Sequence, residues 1–285
     1  MLSSAVLLRS LGSKSVLLWV LYGTTVVFGM YTHTLFILVI AAHGFYVVGI
    51  NIKQIRRDPT KIPSQLLSYL IATLGALLAF LPWAFLIIEN YTRVSSQLLW
   101  TKNNVGAIYL IGQWGFNYSS VFFDAGYAAK YVREFNVAVV ISYLMRVMIL
   151  LLTAYSIYYL CIKTQLRTLL FILSLIIIPF IALALPDLVF GGTRSGNGYR
   201  FLIPSYLGIQ IAVAFLLGSK MNSLYHNKRT IWQAVTSLVI VFGIVSCTIS
   251  SRAESWWTKP NDYWTPQIAR KINNAHKPLL IVDAG

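Results

Sequence analysis

Within ten residues the chain places four glycines and two arginines: Gly191-Gly192-Thr193-Arg194-Ser195-Gly196-Asn197-Gly198-Tyr199-Arg200. Arginine carries a planar, permanently charged fork that suits phosphate oxygens. Glycines let the backbone turn tightly and approach a ligand, and successive N–H groups in such a turn can form a nest for an anion. An apolar run starts at Phe201, and the N-terminus of a helix there adds a positive dipole end. Arg194, Arg200, Gly191, Gly192, Ser195 and Tyr199 are therefore candidates to hold a phosphate at a membrane surface. The same residues also suit an ordinary glycine-rich turn whose arginines snorkel towards headgroups, and the residues alone weigh the two readings evenly.

Acid–base candidates are sparse. His33 sits in a short turn between two apolar runs and could bind phosphate or move a proton, although a lone histidine in a tight turn is more often structural. Asp124 lies in a loop, residues 89–135, where Trp100, Tyr109, Trp114, Tyr118 and other aromatics are interleaved with Glu89 and Glu134. That pattern fits interfacial helices shaping a sugar or lipid cavity, or an aromatic belt at headgroup level, and the belt is favoured for any single ring. Asp124 is the candidate base of this loop, but a base needs reach and a suitable pKa, neither of which a sequence supplies. Asn90-Tyr91-Thr92 and Asn117-Tyr118-Ser119 match the glycan-acceptor pattern. The two cysteines, Cys161 and Cys247, offer neither metal spacing nor a disulfide framework. No phosphate loop, dinucleotide fingerprint or nucleophile elbow is present, and no metal or cofactor is expected.

These residues must be positioned by membrane-embedded elements. Of 285 residues, 57% are hydrophobic and only 11% charged, and the mean hydropathy is +0.68. Soluble domains carry roughly 25% charged residues. The fold class expected is an all-α polytopic membrane protein with about seven spans. They fall near Ser15–Tyr31, Thr34–Ile50, Gln65–Ile88, Asn136–Ile162, Thr168–Leu185, Phe201–Gly218 and Ile231–Ile249. Pro82 predicts a kink near the end of the third. Arg146 would lie mid-membrane if the fourth began at Asn136, so a start at Val147 is preferred, with Arg146 at the interface. His43 falls within the second span and reads as an interhelical donor. Residues 1–250 then form the transmembrane domain, and residues 251–285 an extracytoplasmic segment. In that tail Thr265–Ala275 reads as a short helix and Lys277–Asp283 as a strand, giving it α/β character.

The net charge of +15 fits the positive-inside rule better than nucleic acid, because no basic stripe sits on a soluble module. Arg9, Lys14, Lys53, Arg56, Arg57, Lys61, Lys163, Arg167, Lys220, Lys228 and Arg229 cluster in short segments on one side. That side is read as cytoplasmic, with the N-terminus on it and the C-terminus outside, in an inner or plasma membrane. Every acid except Asp58 falls on the other side, so acid–base chemistry is expected there.

The stretch from Pro186 to Gln210 resembles bacterial, cyanobacterial-like glycosyltransferase family 39 proteins, relatives of the protein mannosyltransferases. The resemblance rests on Gly191, Gly192, Arg194 and Ser195, followed by Arg200-Phe201-Leu202 and Pro204-Ser205-Tyr206. Tyr31-Thr32-His33 and the Asn261–Asp283 tail are similar to the same family. The resemblance implies a GT-C fold and transfer of a sugar from a polyprenyl-phosphate donor to an acceptor on the outer face. The family's catalytic aspartate belongs to the first outer loop. Tyr31-Thr32-His33-Thr34 holds no acid, so the resemblance gives no residue here that role and implies a catalytic loop upstream of the chain.

Two function classes follow. One is a membrane glycosyltransferase, or the C-terminal part of one, whose partners are the bilayer, a polyprenyl-phosphate-linked sugar and an N-terminal segment not contained here. The other is a non-catalytic partner subunit or lipid-carrier and transport component.

Overall fold

The computed structural model describes residues 1–124, 137–222, 226–253 and 265–275, and among them every regular element is helical. The α-helices are α1 (Leu2–Leu11), α2 (Val16–Thr32), α3 (Ile37–Arg57), α4 (Ser64–Glu89), α5 (Tyr91–Gln97) and α6 (Ala107–Ser120). They continue with α7 (Val137–Lys163), α8 (Leu166–Phe190), α9 (Arg194–Asn197), α10 (Ile203–Met221), α11 (His226–Arg252) and α12 (Thr265–Asn274). Short 3-10 turns occupy Thr34–Phe36, Leu99–Thr101 and Tyr199–Leu202.

Among the described residues, six stretches are long and apolar enough to cross a membrane: Thr34–Arg57, Ser64–Glu89, Val140–Lys163, Leu166–Phe190, Tyr199–Met221 and Arg229–Arg252. The chain is a multi-pass, helical membrane protein. Helix α2 is apolar but shorter, at 17 residues, or about 26 Å against a hydrocarbon core of about 30 Å.

Several expectations are corrected. Helix α8 continues through Pro179 and Pro186 to Phe190, past the expected end at Leu185, so Asp187 is a helical residue and the connecting loop begins at Gly191. Helix α7 is continuous from Val137, ahead of the preferred start at Val147, and Arg146 lies within it at 5% exposure. Its Nη1 donates to Ser119 Oγ and Ser120 Oγ, both at 3.0 Å. Helix α1 is an element that the apolar runs do not predict; its buried residues Ser3, Ser4, Leu7 and Ser10 recur at helical spacing along one face. In the C-terminal segment, α12 matches the expected helix. The strand expected over Lys277–Asp283 lies outside the described residues, and the α/β character expected of the tail is not found among the described ones.

The chain divides into two compact units. The first contains residues 1–118 and 153–218. Its α3 buries Val39, Ile40, His43, Tyr46, Val47 and Asn51, an i, i+3, i+4, i+7 stripe. That stripe packs on α8, where Tyr46 and His43 meet the ring of Phe171. Helix α10 packs on the same helix: a Cβ at Gly208 would come within 2.6 Å of Ile176 Cγ1, and Ser205 Oγ donates to the Ile176 carbonyl at 2.8 Å. His43 is fully buried. One ring nitrogen bonds Ser4 Oγ on α1 and the other Tyr22 OH on α2, each at 3.0 Å. Gln65 Nε2 donates to the Leu11 carbonyl at 2.8 Å and ties α4 to the end of α1.

The second unit contains residues 119–152 and 219–285. There the Phe123 and Phe242 rings pack at 5.6 Å, and Lys220 Nζ lies 5.8 Å from the centre of the Trp232 ring.

The His43 cluster fixes three helices with one side chain. Replacing His43 by Ala leaves Ser4 and Tyr22 without that partner and is expected to cost about 1–3 kcal/mol. Thermal unfolding in detergent reads this as a lowered midpoint, and an unchanged midpoint would show that the cluster does not hold α1 in place.

Candidate functional site

Helix α8 delivers Asp187 to its last turn, where the carboxylate is 2% exposed. A buried carboxylate is costly unless hydrogen-bonded, and the glycine-rich loop folds back to supply the donors. Asp187 Oδ2 accepts the Ser195 N–H at 2.6 Å and the Ser195 hydroxyl at 2.7 Å. Ser195 Oγ in turn accepts Trp114 Nε1–H at 3.0 Å. Helix α6 staples the rest of the turn: Asn117 Nδ2 donates to the Gly196 carbonyl and Tyr109 OH to Asn197 Oδ1, at 3.3 Å for the latter. The Thr193 N–H donates to the Thr101 carbonyl at 2.9 Å.

The reversal needs its two leading glycines. Gly191 has φ 75° and Gly192 φ 144°, values that L side chains adopt only under strain. A Cβ at Gly192 would also sit 2.6 Å from Asp187 Oδ1 and 3.2 Å from the Thr101 carbonyl oxygen. The glycine is there because the carboxylate is.

This arrangement changes the reading of the loop amides. The N–H groups of Thr193 and Ser195 point at protein acceptors, and the anion held at Ser195 is the chain's own Asp187. Gly191, Gly192 and Ser195 are thus brought together as the frame of the loop, with Ser195 fully buried. Arg194 is partly exposed in α9, and Arg200 is exposed in the 3-10 turn that leads into α10. Neither forms an ion pair among the described residues. Tyr199 is half-buried beside Arg200.

His33 joins the same end of this unit. Its ring lies 5.7 Å from the Phe201 ring, and the Arg200 guanidinium lies 5.4 Å from the centre of that ring. His33 Nδ1 accepts the Leu35 N–H at 3.1 Å, which leaves Nε2 as the protonated nitrogen of the neutral ring. Partial burial, and then the positive charge of Arg200, lower the His33 pKa below its ordinary value. Among the sequence candidates, the loop glycines and Ser195 form one cluster, and His33 and Arg200 meet across Phe201. Asp124 belongs to the second unit, where its backbone N–H donates to Ser246 Oγ at 2.9 Å.

Asp187, Trp114 and Asn117 belong to the site, although the sequence reading assigns none of them to the glycine-rich loop. Asp187 is the one carboxylate between Phe135 and Ala253, and an acid alone among apolar runs is a signal of a built interior site. Nothing in the sequence pairs Trp114 and Asn117 with the loop, because their partners lie 81 and 79 residues away. Asn117 is 3% exposed, so that glycan-acceptor match is closed.

No protein-family model, curated protein or solved structure matches the chain. The site is therefore read from its own geometry.

The pairing of His33 with Arg200 gives a direct test. Replacing Arg200 by Ala removes the repulsion and is expected to raise the His33 titration midpoint part of the way back, because burial, the larger cause, remains. Imidazole NMR titration of the two proteins measures it; identical midpoints would show that Arg200 does not bear on His33.

Proposed function

We propose that the chain is a membrane glycosyltransferase, or the C-terminal part of one, that binds a polyprenyl-phosphate-linked sugar at the Gly191–Arg200 loop. The observation that supports this most is the division of labour in the loop. Its backbone is fixed from within by Asp187, Ser195 and Trp114, while Arg194 and Arg200 remain toward the surface without carboxylate partners among the described residues. Two arginines on a rigid loop at a helix end suit the phosphate of a lipid carrier. The resemblance of this segment to glycosyltransferase family 39 proteins supplies the reaction class. His33, with its neutral Nε2–H, adds a donor near Arg200.

In this reading α2 is a seventh crossing, the N-terminus is cytoplasmic and the loop faces outward from an inner or plasma membrane. The second reading is a non-catalytic lipid-carrier component or partner subunit. It is favoured by one feature: Tyr31-Thr32-His33-Thr34, which joins α2 to α3, contains no acid.

Transfer of labelled sugar from a polyprenyl-phosphate donor, in membranes holding the protein in its native length, separates the readings. The expected outcome is transfer that falls at least about tenfold in Arg194→Ala and Arg200→Ala, the size of one lost charge-assisted phosphate contact. Saturable binding of polyprenyl phosphate without turnover would select the second reading. Neither binding nor transfer would reject both.

A further inference from the structure

Five cations gather at the end of the first unit that lies opposite the glycine-rich loop. They are Lys53, Arg56 and Arg57 in the last turns of α3, Lys163 at the end of α7 and Arg167 in the first turn of α8, all exposed. Helix α8 is 25 residues long, so about 37 Å separates this end from the loop. His33, just before α3, lies beside Phe201, just after the loop that follows α8, so α3 and α8 run antiparallel. Their register brings the charges together. A Cβ at Gly49 would lie 3.2 Å from Leu170 Cδ1, and the Tyr46 ring meets that of Phe171. Lys53 is one turn beyond Gly49 on the same edge of α3, and Arg167 is one turn before Leu170 and Phe171 on the facing edge of α8. On the neighbouring side of α3 the exposed residues Phe45, Val48 and Ile52 form an apolar stripe, and Arg56 continues it at the same helical spacing.

No carboxylate pairs with any of the five among the described residues. Asp58, which follows Arg57, is engaged with Lys61 Nζ at 3.3 Å and accepts from the Thr60 N–H and hydroxyl. Helix dipoles account for part of the pattern, because cations at the ends of α3 and α7 meet the negative end of each helix. They do not account for Arg167, which sits at the positive end of α8 with Lys53 on the facing edge of α3. A positive-inside signal needs basic residues near span ends, but not on facing edges of packed helices. Like charges in such a seam repel, and an anion between them removes the repulsion. The anion that a bilayer offers at the level of helix ends is a phospholipid headgroup, and the apolar stripe that leads to Arg56 suits its acyl chains.

We propose that this seam docks an anionic phospholipid, with the headgroup between Lys53, Arg56 and Arg167 and the acyl chains along Phe45, Val48 and Ile52. The bound lipid bridges α3 and α8 at the end opposite the loop, so bilayer composition acts on the helix that carries Asp187. The proposal does not depend on what the glycine-rich loop binds.

Native mass spectrometry of the full chain in detergent, titrated with phosphatidylglycerol or with zwitterionic phosphatidylcholine, measures the affinity of the first lipid bound. The expected result is binding of phosphatidylglycerol at least about fivefold tighter than phosphatidylcholine, the size of one basic contact with an anionic lipid surface. Replacing Lys53→Gln together with Arg167→Gln is expected to abolish that preference, and Arg194→Ala with Arg200→Ala to retain it. The unaltered protein supplies an arm that needs no variant to fold. Raising the salt from about 0.1 M to about 1 M shortens the screening length from about 10 Å to about 3 Å, and because the five side chains are exposed, the preference is expected to collapse. Equal affinity for the two lipids overturns the proposal, as does a preference that survives at the higher salt or in the Lys53 and Arg167 double variant. A preference lost in the Arg194 and Arg200 double variant places the anionic lipid at the glycine-rich loop instead, and overturns it equally.

Discussion

The buried carboxylate of Asp187 is the constraint on which the rest of the site depends. It sits at the end of an apolar helix, at 2% exposure, where a charge is expensive unless donors are brought to it. The chain brings them by reversing direction at Gly191 and Gly192 and laying Ser195 against Oδ2. The reversal excludes a side chain at Gly192, because a Cβ would collide with the same carboxylate. It also places Ser195 under Trp114, which couples the loop to α6. Arg194 and Arg200 flank this fixed core and are carried toward the surface by it.

The helix that bears Asp187 is itself located by packing on two sides. The α3 stripe meets it around Phe171, and α10 approaches it closely at Gly208, where Ser205 bonds the Ile176 carbonyl. Away from the site, His43 gathers α1, α2 and α3 through Ser4 and Tyr22. Each of these contacts uses a small or polar residue in an otherwise apolar helix. That is how membrane helices acquire definite neighbours when lipid and leucine are equally apolar.

Much of the helical plan is legible in the sequence, since runs of 17 or more apolar residues with basic ends suit a bilayer crossing and little else. The third expected span, Gln65–Ile88, differs from α4 by one residue at each end. Misreadings arise where a local rule meets a tertiary override. The fifth span is expected to end near Leu185, yet α8 passes through Pro186, because a proline near a helix end removes only one helix donor. The preferred start at Val147 leaves Arg146 outside the fourth helix, since nothing in its neighbourhood announces Ser119 and Ser120 as acceptors 27 and 26 residues away. The glycines and arginines do single out the loop. The residues alone leave its amides open to an anion nest or an ordinary turn, and those of Thr193 and Ser195 face protein acceptors. Only the three-dimensional path supplies that fact, because Asp187 and Ser195 are eight residues apart and joined by a reversal.

The central claim is that the rigid loop from Gly191 to Arg200 is where a lipid-linked phosphate binds. Photo-crosslinking tests it most directly, using a polyprenyl phosphate with a diazirine in the isoprene unit next to the phosphate and mapping adducts by peptide mass spectrometry. The account predicts adducts on residues 191–202 and near His33, competed by unlabelled polyprenyl phosphate and lost when both Arg194 and Arg200 are replaced by Ala. Adducts confined to the apolar groove between α2 and α4 around Gly23 and Ala72, or adducts indifferent to the double replacement, would contradict it.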